Sequence, residues 1–115
     1  MSQNQYWYFR YAIDSKGQKP AEEFFNSLSK QERLSFEALW RMVALQKQYH
    51  NDERFKKLNT SEGIWQFRAG DYRILSYQSG SCYVLTNGFR KDQNKTDQTL
   101  IDMAIKIKKQ DMKRG

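Results

Sequence analysis

The sequence predicts an α+β domain in which a small antiparallel sheet is packed by two N-terminal helices and one C-terminal helix. Three observations support this expectation: an aromatic strand-like run near the N-terminus, segments with apolar residues at helical spacing, and three short strand-like segments separated by turn residues. The 115 residues match the usual length of one domain, so residues 1–115 are expected to fold as a single unit.

The N-terminal half predicts one strand followed by two helices. Residues 5–13 are rich in aromatics and precede turn formers, which is typical of a first strand. Pro20 suits the first turn of a helix that ends near Ser29. Ser29 and Glu32 form a capping-box pattern for a second helix, which continues to about Tyr49. Its inward face is formed by apolar residues at helical spacing, namely Phe36, Leu39, Trp40 and Val43, widened by Met42, Leu45 and Tyr49.

The C-terminal half predicts a meander of three strands. Residues 51–63 are expected to form a loop or a short strand. The strands follow at residues 64–69, 72–78 and 81–87. They are separated by the turn pairs Gly70-Asp71 and Ser79-Gly80.

A final helix is expected after residue Thr96, whose hydroxyl can cap it. Its inward stripe is predicted to be Leu100, Met103, Ala104 and Ile107. Lys106, Lys109 and Lys113 share the outer face, where a row of solvated charges is the commonest role.

A two-residue loop at Gly70-Asp71 would place two arginines side by side. Arg68 then faces Arg73, while Phe67 and Ile74 form a good core pair on the reverse side. Like charges directly opposed on a sheet are unfavourable, and an anion between them would remove that penalty. The pair therefore indicates an anion-binding face.

Further cations are expected on the face of this pair. If Ser79-Gly80 is a two-residue loop, Thr86 lies beside Arg73, and continuation by twos brings Arg90 to the same face. The face would then carry up to seven cations, Lys56, Lys57, Arg68, Arg73, Arg90, Lys91 and Lys95. The alternative is that the arginines form ordinary surface salt bridges with nearby acids. Those acids are Asp71, Glu62 and Asp92.

The charge balance favours a polyanionic partner. Lys and Arg number 20 against 13 acids, a formal charge of +7, although a basic surface can also serve solubility alone. Cys82 is the only cysteine, and no segment has the pattern of a signal peptide or a membrane span. A reducing cytoplasm is the expected location.

The sequence patterns of metal-dependent nucleases do not occur. No Cys/His cluster has zinc-ligand spacing, no carboxylate pair suits a two-metal site, and no glycine-rich nucleotide loop is present. We therefore expect no cofactor, and any RNA cleavage would use the 2′-hydroxyl of the RNA as nucleophile. Arginine suits the charged phosphorus centre because its planar fork donates two parallel hydrogen bonds. His50, the only histidine, falls where the second helix should end, a position at which the helix dipole stabilises a cation.

Several segments, in this order and spacing, resemble the RelE-superfamily toxins. They are Lys56-Lys57-Leu58, Gly63-Ile64-Trp65-Gln66-Phe67-Arg68, Gly70-Asp71-Tyr72-Arg73-Ile74-Leu75 and Gly88-Phe89-Arg90-Lys91. Residues 19–24 and the pair Lys95-Thr96 are similar to the phage Gp49-like and HigB-like branch of that group. The resemblance spans about residues 8–109 and implies a RelE-like fold.

The resemblance also implies a toxin of a type II toxin–antitoxin pair that cleaves messenger RNA on the ribosome and is neutralised by a helix-turn-helix antitoxin. By this likeness Arg68 would bind the scissile phosphate, Arg90 would assist it, and Lys57 or Lys56 would accept the proton. The supporting RNA contacts would be Lys56, Arg73, Lys91 and Lys95. Several relatives add a Tyr or His near the C-terminus, and none follows Tyr83 here.

Two other functions stay open at the level of sequence. One is a non-enzymatic toxin of the same superfamily that binds DNA gyrase. The other is a plain RNA-binding or antitoxin-binding module that lacks catalysis.

Overall fold

The computed structural model describes residues 5–51, 53–91 and 98–114 and confirms the α+β class. The elements are β1 (Tyr8–Tyr11), α1 (Pro20–Asn26), α2 (Lys30–Ala44), β2 (Phe55–Lys57), β3 (Ile64–Ala69), β4 (Tyr72–Ser79), β5 (Cys82–Arg90) and α3 (Gln98–Arg114). The strands form one five-stranded sheet in the order β1-β5-β4-β3-β2. Because β1 runs parallel to β5 while the other pairs are antiparallel, the sheet is mixed rather than wholly antiparallel.

Local chemistry sets the helix starts, and a tertiary contact sets the end of α2. Pro20 is the first residue of α1, as predicted. At α2 the capping box is present, because Glu32 N donates to Ser29 Oγ (3.2 Å) and Ser29 N donates to Glu32 Oε1 (2.9 Å). The helix ends at Ala44 rather than near Tyr49. The amides of Tyr6 and Trp7 donate to Ala44 O, a carbonyl that a longer helix would need for itself.

The sheet separates two apolar clusters. On one face, Phe36, Leu39 and Val43 of α2 are buried against the sheet, as predicted, whereas Met42, which was predicted to widen this face, is exposed. On the other face, the buried positions of α3 are Ile101, Ala104, Ile107 and Asp111. The predicted stripe was therefore one position off at its start, and Met103 is 44% exposed. No helix in the described ranges is long and apolar enough to cross a membrane.

The β3–β4 hairpin has the predicted register, whereas the β4–β5 hairpin does not. Arg68 pairs with Arg73 and Phe67 with Ile74 around Gly70-Asp71, as expected. The second turn is Gly80-Ser81, so that Ser79 pairs with Cys82. A β-bulge follows at Thr86, because Leu85 pairs with Ser76 and Asn87 with Leu75. One extra residue in β5 moves every later side chain of that strand to the opposite face.

Candidate functional site

Two arginine side chains converge at the turn that joins β3 and β4. Arg68 Nε donates to Gly70 O at 3.2 Å, and Arg73 Nη1 donates to the same oxygen at 2.8 Å. Gly70 has a φ of +61°, a conformation that glycine adopts without the steric penalty of a Cβ. The turn therefore holds the two guanidinium groups next to each other by a shared acceptor.

The arginine pair has no carboxylate partner in the described part of the chain. The two ion pairs that are seen there join Arg10 to Asp111 and Lys108 to Glu62. The salt-bridge alternative is therefore wrong for Asp71 and Glu62, and Asp92 lies outside the described residues. The charge of Asp71 acts on Arg73 without forming an ion pair, so an anion placed between the two arginines would lower their electrostatic repulsion.

The two members of the pair differ in exposure. Arg68 is exposed, whereas Arg73, its cross-strand partner, is only 6% exposed. Burial, reinforced by the charge of Arg68, lowers the pKa of Arg73 from its ordinary value. The buried Nε of Arg73 makes no hydrogen bond to any described residue. Arg68 can thus contact a ligand directly, while Arg73 supports it and adds positive potential.

The bulge removes Arg90 from the face of this pair. Past Thr86, Phe89 lies opposite Arg73 and Arg90 lies opposite Tyr72. The predictions that Thr86 lies beside Arg73 and that Arg90 shares its face are therefore wrong. Arg90 lies instead on the side of α1 and α2, where its charge contributes to lowering the pKa of Glu32, after the larger effect of the Ser29 hydrogen bonds.

Lys91 occupies the face that was predicted for Arg90. Its amide donates to Asp71 O at 2.7 Å, which continues the strand pairing by one residue beyond Arg90. Because side chains alternate along a strand, Lys91 lies on the same side as Arg68 and Arg73. Lys95 lies outside the described residues.

The two lysines of β2 lie on opposite faces of the sheet. Lys56 pairs with Gln66, two residues before Arg68, and so lies on the Arg68 face. Diagonal neighbours of this kind are roughly 7–8 Å apart. Lys57 pairs with Trp65 and lies on the side of α2. Of the seven cations predicted for this face, those that the structure places there are Lys56, Arg68, Arg73 and Lys91, which we call the arginine face.

A second polar group on the same side of the sheet was missed by the sequence analysis. Asp111 of α3 accepts two hydrogen bonds from Arg10, at 3.0 and 2.8 Å, one from Ile13 N at 2.9 Å, and one from the hydroxyl of Tyr77. Burial alone would raise the pKa of Asp111, but these hydrogen bonds outweigh it and hold that pKa below its ordinary value. Nothing local signals this group, because its members come from three distant segments, residues 10–13, Tyr77 and Asp111.

The described residues hold no group of three or more His, Cys, Asp and Glu side chains that could bind a metal ion. No curated protein is similar enough in sequence to match the chain. The family described as "Phage derived protein Gp49-like (DUF891)" matches residues 23–109, which include α2, the whole β2–β5 meander and the arginine face. The chain therefore belongs to the Gp49-like family, a toxin-like family of the RelE group, as its motifs indicated.

Proposed function

We propose that this protein is the toxin of a type II toxin–antitoxin pair and that it cleaves messenger RNA without a metal ion. The observation that carries the proposal is the convergence of Arg68 and Arg73 on Gly70 O with no carboxylate partner in the described ranges. Membership of a toxin-like family and the net charge of +7 support it.

The arginine face suits an RNA phosphate under attack. The 2′-hydroxyl oxygen forms a bond to phosphorus while the bond to the 5′-oxygen of the next nucleotide breaks, which leaves a cyclic phosphate and a free 5′-hydroxyl. Negative charge grows on the phosphate oxygens during this step, and the exposed fork of Arg68 can donate to two of them. Arg73 adds positive potential beside Arg68, whose guanidinium is held by Gly70 O, and Lys91 binds a neighbouring phosphate.

The proton of the 2′-hydroxyl needs an acceptor on the same face. We assign this role to the neutral amine form of Lys56 rather than to Lys57, because Lys56 shares the face of Arg68 and Lys57 does not. The departing 5′-oxygen takes its proton from solvent water. Arg90 has no part in this scheme, since it lies on the side of α1 and α2. The partners in the proposal are messenger RNA on the ribosome and a helix-turn-helix antitoxin, both in the cytoplasm.

Induced expression of the full chain in a bacterial host without the antitoxin tests the proposal. We expect growth arrest together with cleaved transcripts whose upstream fragments end in a cyclic phosphate. Arg68→Ala changes an exposed side chain and should abolish both effects. Arrest by the intact chain with uncut transcripts, or full cleavage by Arg68→Ala, would show that the proposal is wrong.

One observation favours a second candidate, a toxin that binds DNA gyrase and cuts nothing. Two of the three side chains that were predicted to be catalytic, Arg90 and Lys57, lie away from the arginine face. A gyrase-directed toxin should induce the DNA-damage response while transcripts stay intact. Measuring that response in the same cultures separates the two candidates, and normal growth would instead indicate a plain binding module.

A further inference from the structure

A cavity of about 370 Å³ lies between the sheet and the segment that follows α2. It is at the end of the sheet remote from the β3–β4 turn, since its lining includes Trp65 at the start of β3 and Gln78 near the end of β4. Its volume falls within the roughly 300–1,000 Å³ of small-molecule sites. It lies on the α2 side of the sheet, opposite the arginine face, and Lys56 is the one residue of that face that borders it.

The floor of the cavity is a set of aromatic rings that are fixed in place. Phe55 and Trp65 stack with ring centroids 5.1 Å apart, and Tyr83 meets both rings edge-on. Trp7 lies against Tyr83 at 4.6 Å, and its Nε1 donates to Lys47 O at 3.3 Å. The hydroxyl of Tyr83 accepts a hydrogen bond from Gln78 at 2.8 Å. A ligand would therefore meet a preformed surface and would not have to order it.

Part of this aromatic surface is open. Phe55 and Tyr83 are buried, but Trp7, Tyr49 and Trp65 are only half-buried and face the cavity. A flat ring that enters the cavity can stack on or against these side chains.

The rim of the cavity is basic and amide-rich. Its exposed polar residues are Lys47, Gln48, His50, Lys56, Lys57 and Gln78. None of the described residues that line the cavity is Asp or Glu. Three lysines thus surround an aromatic floor without a carboxylate to balance them, which selects for an aromatic ligand that carries negative charge.

We propose that this cavity binds an unstacked base of single-stranded RNA, with Lys47 and Lys57 holding the adjacent phosphates. Stacked aromatics with cations along the backbone are the usual means of binding single-stranded nucleic acid without sequence preference. Trp65 is three residues from Arg68 on β3, roughly 10 Å along the strand, and its side chain lies on the opposite face, so an RNA strand would have to pass around the β2 edge to reach both. Lys56, on edge strand β2, borders the cavity and also lies on the arginine face. The choice of RNA over another aromatic anion rests on the proposed function.

The test is equilibrium binding of a short 2′-O-methyl RNA, which cannot be cut because its 2′-oxygen is blocked. Two of the three tryptophans line the cavity, so binding should quench the intrinsic fluorescence of the intact protein. Trp65→Ala should weaken binding by about 10-fold or more, and Lys57→Gln should weaken it several-fold and reduce its salt dependence. The matched controls Tyr8→Ala and Lys16→Gln change exposed residues away from the cavity and should bind like the intact chain.

The outcomes separate this inference from the proposed function. If folded Trp65→Ala and Lys57→Gln both bind the RNA as the intact chain does, the cavity proposal is overturned, whatever the cleavage assay shows. Lys57 is exposed, so its substitution keeps the test valid even if Trp65→Ala fails to fold. If the two variants lose antitoxin binding while their RNA binding is unchanged, the cavity proposal is likewise overturned, and the cavity binds a protein partner. If RNA quenches the fluorescence of the intact chain and the two variants weaken this binding, but the intact chain cuts no RNA, only the proposed function is contradicted.

Discussion

Two sites on the same side of the sheet contain arginine, and they differ in whether a carboxylate contacts the guanidinium group. Arg10 at the β1 edge is bound by both oxygens of Asp111, which is 5% exposed. Arg68 and Arg73 at the β3–β4 turn share only a backbone carbonyl, and the described residues offer them no carboxylate. We call Arg10 with Asp111 and Tyr77 the complete group, because a carboxylate contacts its arginine, and Arg68 with Arg73 the incomplete group, because no described carboxylate does. Charge that serves the fold is neutralised within the chain, so the unneutralised pair is the better candidate for binding an anion.

The largest expected effect is on activity, and it comes from substituting Arg68, the exposed arginine of the incomplete group. Arg68→Ala should lower the rate of RNA cleavage about 100-fold or more, because it removes a charged donor from the reacting phosphate. The free energy of unfolding should change by less than about 0.5 kcal/mol, because Arg68 is exposed. Cleavage of a defined transcript in a translation reaction and urea unfolding measure the two quantities. Arg90→Ala is the control on the opposite face, and an equal loss of activity there would contradict our assignment of the faces.

Substitution in the complete group should instead lower the stability of the fold. Asp111→Asn should lower the free energy of unfolding by about 2–3 kcal/mol, since it leaves Arg10 and Tyr77 without their ionised partner. Thermal or urea unfolding measures this loss. Asp71→Asn is the matched control, because Asp71 is an exposed turn residue and should cost less than about 0.5 kcal/mol. Similar values for the two variants would contradict the structural role of Asp111.

The complete group also predicts a pH dependence of stability. Burial, with the hydrogen bond to Asp111, raises the pKa of Tyr77 to about 12. Because this pKa is above the unfolded value of about 10, the stabilisation is fully present below pH 10 and is lost as the pH rises towards 12. The lowered pKa of Asp111 acts in the acid range, where its stabilisation is lost as the pH falls below about 4. In urea unfolding between pH 10 and 12, the free energy of unfolding of the intact chain should fall by an amount on the order of 1–2 kcal/mol that Tyr77→Phe does not show. Identical pH profiles for the two proteins would contradict the role of Tyr77.

The smallest effect should come from a simple anion at the incomplete group. Inorganic phosphate at constant ionic strength should stabilise the intact chain by less than about 1 kcal/mol relative to chloride, by binding the folded state only. Arg68→Ala should lose this increment and Arg90→Ala should keep it. The melting temperatures of the three proteins measure the effect. Equal stabilisation of all three would mean that phosphate has no preference for the arginine pair.

The β3–β4 hairpin and the α2 capping box could be read from the sequence because the residues that decide them are neighbours. A two-residue turn with glycine at its first position sets the Arg68–Arg73 pairing, and Ser29 and Glu32 are three residues apart. The family was also recognisable, since its motifs depend on the order and spacing of residues along one chain. These features set what kind of protein this is and where its paired arginines lie.

The membership of the arginine face was decided by tertiary structure. Thr86 enters β5 as one extra residue, its hydroxyl 3.1 Å from Leu75 O and 2.8 Å from Asn87 Oδ1, while Asn87 Nδ2 donates to Leu100 O of α3. Leu75 is 11 positions from Thr86, and Leu100 is 13 positions from Asn87, so the bulge depends on contacts that are distant in sequence. It exchanges Arg90 for Lys91 on the arginine face.

The sequence by itself thus determined the class, the family and the paired arginines, because turns, caps and alternation act over a few residues. Only the folded chain decided the end of α2, the stripe of α3 and the partner of Arg10. Arg10 and Asp111 are 101 positions apart, and their contact exists only once the sheet and α3 have packed. The physical reason is that local geometry is set by adjacent residues, whereas the pairing of charges and the choice of sheet face depend on every element packed between them.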